Sequence, residues 1–137
     1  MQLPGLSARP LCYLWALPTT CLGLLFVPIA CLNRGNIALI GGVIEVHSVL
    51  IARFLEKAVL MPGGAAAMTL GHVIIGRNAD CLNHCRAHER VHVRQCERWG
   101  PFFIPAYLLA SLIAYGRGLD PYLDNGFERE AFRKSRA

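Results

Sequence analysis

The chain has 137 residues, enough for one domain with a modest core and too few for two. Hydrophobic residues make up 54% and charged residues 17%, against typical values of about 45–50% and about 25%, and mean hydropathy is +0.38; this composition points to a membrane protein. A net charge of +5 without aromatic-basic interleaving suits anionic lipid headgroups and argues against a nucleic-acid surface.

Residues 11–32, LCYLWALPTTCLGLLFVPIACL, carry no charge over 22 positions, long enough to cross a hydrocarbon core of about 30 Å. The run exceeds an ordinary signal-peptide core and no A-x-A-like site follows. It reads as a retained membrane segment in an N-terminal unit, residues 1–33, with a cleaved signal or a buried core helix as the rivals. Pro18 and Pro28 are expected to kink it. Cys12, Cys21 and Cys31 lie inside it and read as small hydrophobes, so disulfides are a weak expectation for the six cysteines.

Residues 36–47, NIALIGGVIEVH, predict a β-hairpin turning at Gly41-Gly42. Glu45 and His47 share one face of its second strand and read as the polar side of a half-exposed strand. Ser48 is the expected N-cap of a helix over 49–60 that Pro62-Gly63-Gly64 stops. Residues 68–75, MTLGHVII, read as another strand, in which His72 is a satisfied histidine.

A helix is predicted from Asp80, its candidate N-cap, to Trp99, with Gly100-Pro101 ending it. It carries His88-Glu89-Arg90-Val91-His92, the pattern H-E-x-x-H. Residues four apart share a helix face, so His88 and His92 can offer two imidazole nitrogens to one metal ion. Glu89, beside the first of them, is placed to take a proton from water there. Cys81, Cys85, Gln95 and Trp99 continue that stripe. Arg86, Arg90, Arg94 and Arg98 form a second one, expected to be solvated or turned to anionic lipid, with Arg86 able to pair with Glu89.

The uncharged run 99–116 predicts a hydrophobic helix at about 102–115, strongest from 105, lying in or dipping into the bilayer, buried in the core or, third, crossing the bilayer as a second span. After a loop at 116–121, residues 127–135 form a short helix. A catalytic zinc commonly keeps three protein ligands, so a third is needed downstream. Asp120, Asp124, Glu128 and Glu130 are the candidates. Glu128 equally fits a capping role, folding back on the Asn125 amide.

HERVH followed by Glu-Arg-Glu-Ala at 128–131 resembles the gluzincin type of zinc metallopeptidase, nearest to membrane families whose second motif reads E-x-x-A-D. Residues 68–133 are also similar to a family of short, uncharacterised bacterial proteins classed as membrane peptidases. The resemblance implies Zn2+ held by His88, His92 and Glu128, Glu89 as catalytic base, and hydrolysis of a peptide or protein substrate. Phe132 stands where those families have Asp. It further implies an α+β fold, with a mainly helical zincin-like domain over 34–137. In that domain a small β-hairpin or antiparallel sheet precedes the motif helix. The protein would be membrane-associated, in the bacterial inner membrane, with lipid as a partner and no nucleic acid.

A donor to the developing oxyanion is also needed, and Tyr122 and His84 are the candidates. The strand at 68–75 can present an open edge to an extended substrate. Two non-catalytic readings stand beside this one. Cys81, Cys85, His88 and His92 could close a structural zinc site if the helix breaks near His84, because Cys81 and His92 are otherwise about 16 Å apart along it. The other is a metal-free membrane protein in which the motif is accidental.

Overall fold

The computed structural model describes residues 9–57 and 63–136. The long N-terminal apolar run folds as two helices, α1 (Arg9–Leu24) and α2 (Phe26–Leu32). The break has a local cause. Pro28 has no amide hydrogen to give the Leu24 carbonyl, and its ring collides with it. Pro18 is accommodated inside α1.

Strands β1 (Asn36–Ile40) and β2 (Val43–His47) form the expected hairpin. Gly41 and Gly42 adopt φ of 55° and 78°, the left-handed values that a two-residue turn demands and that side chains resist. The expected single strand at 68–75 is instead a second hairpin, β3 (Ala67–Leu70) and β4 (Val73–Gly76), turning at Gly71-His72 with Gly71 at φ 65°. His72 therefore sits in a turn. Its Nε2 meets Glu97 at 2.8 Å, its ring stacks on Tyr13, and its buried Nδ1 has no partner among the described residues.

The two hairpins join through a parallel β2–β4 pairing into a mixed sheet of order β1-β2-β4-β3, which corrects the antiparallel expectation. The fold class is α+β. Between the hairpins runs α3 (Val49–Lys57), whose first turn is capped by the Ser48 hydroxyl bonding Ile51 N at 3.2 Å. Its expected continuation to Leu60 and the Pro62 stop lie outside the described residues.

Strand periodicity divides the sheet residues between two layers. Ile44, Val46, Val73 and Ile75 face Ala30, Ile51 and Leu55 of α2 and α3. Val43 and Ile74 face Leu82 and Val93 of the motif helix, α4 (Ala79–Trp99). Its N-cap is Asn78, whose side chain accepts from Cys81 N at 2.8 Å; Asp80, the residue expected to cap, lies two residues further on, within the first turn. On that second layer Glu45 of β2, Ile74 of β4 and Thr69 of β3 form a row straight across the sheet.

Glu45 is not the exposed strand residue that alternation predicted. It is 3% exposed and bonded by the Arg86 guanidinium through two hydrogen bonds of 2.8 Å, with Arg90 3.9 Å away. Arg90 also caps the β1–β2 turn through the carbonyls of Ile40 and Gly41. The arginine stripe thus divides. Its first half clamps α4 to the sheet, and Arg86 does not pair with Glu89.

Gly100, at φ 56°, ends α4 with the Trp15 indole packed where a Cβ would stand. A 3-10 turn (Gly100–Phe102) leads into α5 (Phe103–Gly116), within one residue of the expected 102–115 at each end. Pro105 sits within its first turn, where no intrahelical donor is needed. Helix α6 (Gly126–Ser135) then crosses back over α4. Helix α1 is tied to the same body: Tyr13 donates to Gly42 O at 2.6 Å, Thr19 to Gly100 O and Trp15 to Arg98 O.

Replacing Arg86 by Met strands a buried carboxylate, and urea unfolding followed by circular dichroism is expected to show a loss of about 3 kcal/mol. A loss within about 1 kcal/mol, the range of surface ion pairs, contradicts the clamp.

Candidate metal centre

His88 and His92, one turn apart on α4, turn their Nε2 atoms toward the first turn of α6. Those nitrogens are 3.2 Å apart. Glu128 lies between them, with Oε2 2.9 Å from His88 Nε2 and Oε1 3.2 Å from His92 Nε2. One donor atom from each of the three residues lies within 4.8 Å of the others. Donors placed tetrahedrally at zinc distances of about 2.0–2.1 Å are about 3.3 Å apart, so these three fit such an ion. The group can hold a metal ion.

Glu128 is free for this because another residue caps its helix. Asn125 Oδ1 accepts from Phe127 N at 2.9 Å, while Asn125 Nδ2 donates to Tyr107 O and Ser111 Oγ, fastening α6 to α5. Tyr107, which sequence reasoning passed over inside an apolar helix, donates its hydroxyl to Glu128 Oε1 at 2.6 Å. Its signal was register: Phe103, Tyr107, Ser111 and Ala114 follow helical spacing. Phe103, Tyr107, Phe127 and Trp99 form an aromatic cluster beside His92, with Phe103 and Phe127 centroids 5.5 Å apart.

Glu89 is 6% exposed and accepts a hydrogen bond of 2.6 Å from Thr69 Oγ1. Burial raises its pKa, against the lowering effects of His92, the Thr69 bond and His88. Glu128 goes the other way. Burial alone would raise it, but hydrogen bonds from His88, His92 and Tyr107 outweigh that and hold its carboxyl at about 2. For His92, burial opposes a charge, yet the Glu128 hydrogen bond and the Glu89 charge raise its pKa overall.

The other candidates stand elsewhere. Glu130 accepts from Gln95 at 2.8 Å, from Arg98 and from Lys134, one step behind the histidines. Asp120 and Asp124 bond backbone amides within their own loop. His84 is exposed and bonds its own helix at Asp80 O. Tyr122 does reach the neighbourhood: its ring meets Phe132 edge-on at 6.1 Å, and burial together with the Glu128 charge raises its phenol pKa. Phe132 packs against the His88 ring at 4.5 Å. Gln95, on the predicted stripe but given no role there, bonds His92 Nδ1 at 2.7 Å.

Helix α4 runs unbroken through His84, so the four-ligand cysteine–histidine site lacks the break it requires. No protein-family model, curated protein or solved structure matches this chain.

Two outcomes follow from the site. Replacing Cys81 and Cys85 by Ser is expected to leave metal content unchanged on elemental analysis. The pH response is also set. Glu128, lowered from 4.5 to about 2, contributes stability that is complete above pH 4.5 and lost as pH falls toward 2. Glu89 and His92, raised from 4.5 and 6.5, contribute stability that is lost as pH rises through their folded values. Thermal unfolding in chelator is therefore expected to peak near pH 4.5 and to decline above it, while zinc affinity falls as pH drops through the raised pKa of His92.

Proposed function

We propose that this protein is a membrane-associated zinc metallopeptidase. The observation that carries the reading is the convergence of His88, His92 and Glu128, with buried Glu89 beside them and Thr69 orienting its carboxylate. A bound zinc supplies Lewis acidity, which polarises a carbonyl and makes water acidic near neutral pH.

The chain's own groups do the rest. Glu89, its proton affinity increased by burial, takes a proton from water and passes it to the departing amine. Tyr122 is the remaining candidate for a donor to the developing oxyanion, since His84 lies outside the cluster. Strand β3 is an edge of the sheet. Its hairpin register turns the backbone N–H and C=O of Ala67 and Thr69 away from β4. An extended peptide adding there would pass next to the residue that orients Glu89.

Two stretches, Pro10–Leu32 and Ala79–Gly116, are long and apolar enough to cross a membrane. In the second, only the end from Trp99 onward is free of charge. Leu11, Leu14 and Leu17 of α1 and Leu108, Leu109 and Leu112 of α5 are exposed, each helix using its opposite side on the protein. These faces attach the chain to lipid, beside the centre that Tyr107 helps to hold.

Glu89→Gln keeps the size of the side chain and removes its basicity. It is expected to retain zinc and to slow cleavage of an unstructured peptide by about 10²–10⁴-fold. Cleavage at the unaltered rate by the zinc-loaded variant would remove Glu89 as the base.

A further inference from the structure

Gln95 is fully buried, three residues beyond His92 and therefore on the same side of α4. Its amide is bonded at both ends. Oε1 meets His92 Nδ1 at 2.7 Å, while Nε2 donates to Phe127 O at 3.0 Å and to Glu130 Oε2 at 2.8 Å. A carboxamide has one accepting end and one donating end. A carbonyl and a carboxylate both accept only, so the nitrogen must face them and the oxygen must face His92. An imidazole nitrogen that faces an acceptor carries the proton. His92 is thereby held with hydrogen on Nδ1, so Nε2, which faces Glu128, is the nitrogen that offers its lone pair once an ion displaces its proton.

The relay is anchored further out. Arg98 donates to both oxygens of Glu130 at 2.9 and 3.0 Å, and Lys134 donates to Oε1 at 2.6 Å. Nothing in the position of Phe132 does this work, since its ring lies on His88 and offers no acceptor. We infer that Gln95, oriented by Glu130 and the Phe127 carbonyl, is the positioning residue that dictates which nitrogen of His92 faces the metal position. Carboxylate support, absent at residue 132, reaches the histidine through an amide from residue 130. The inference rests on the metal reading proposed above and adds the means by which one ligand is presented.

The test uses the full-length chain in detergent, with zinc affinity read by competition against a chromophoric chelator. Gln95→Met keeps the length of the side chain and loses both polar ends, and is expected to weaken zinc binding about 10- to 100-fold. In the zinc-loaded unaltered protein, the His92 Nδ1–H proton is expected as a downfield NMR signal protected from exchange; in Gln95→Met it exchanges away. The paired change Gln95→Glu with Glu130→Gln returns an acceptor to His92 and a donor from residue 130. It is expected to recover most of the affinity and the signal, which a purely space-filling role would not do.

Equal zinc affinity in Gln95→Met and the unaltered chain overturns the inference, as does a paired variant no better than Gln95→Met. Should Gln95→Met fail to fold, the partly exposed Glu130 serves: Glu130→Ala is expected to bind zinc more weakly than Glu130→Gln, which keeps an acceptor. Equal affinity of those two overturns the relay. An unaltered chain that binds no zinc would overturn the metal reading and this inference with it, whereas zinc bound equally well by Gln95→Met overturns this inference alone.

Discussion

The arrangement depends on one carboxylate, that of Glu128, held out of water between two imidazoles. A charge so buried is costly unless it is paired and hydrogen-bonded. Two helices supply the partners: α4 through His88 and His92, and α5 through Tyr107. Without a metal, imidazole protons satisfy the carboxylate. A divalent cation would replace those protons among donors already spaced for it, so little of the binding free energy would go into rearrangement.

The sheet sets the other half of the site. Arg86 against Glu45 at one side and Glu89 against Thr69 at the other fix α4 across the row Glu45–Ile74–Thr69. A one-residue slip of β3 would turn Thr69 to the opposite face and leave Glu89 without its donor. The clamp at Arg86 and the orientation of the candidate base are therefore one structural fact. Helix α6 is adjusted separately, through Asn125, which joins its first turn to α5 and frees Glu128 from capping duty.

Much of this was legible in the residues, for reasons that also explain what was not. The Gly41-Gly42 hairpin and the motif helix follow from local turn chemistry and helical spacing. The second hairpin was read as a strand because Gly71-His72 lies inside an apolar run with no polar turn signal. The parallel β2–β4 pairing is a non-local choice that no local pattern encodes. Alternation marked Glu45 as exposed, but it cannot reveal a guanidinium arriving from 41 residues away. Tyr107 escaped a role for the same reason, since only the crossing of α5 and α6 brings it to Glu128; Gln95 neighbours His92 on α4, but the Phe127 carbonyl and Glu130 that orient it arrive with α6. Between capping and ligation the sequence left Glu128 undecided; Asn125 does the capping.

The most direct measurement is the metal content of the purified full-length chain beside that of Glu128→Ala. The account predicts equimolar zinc in the first and its loss in the second, with the fold retained by circular dichroism. Zinc absent from the unaltered chain, or bound equally well without the Glu128 carboxylate, would contradict it.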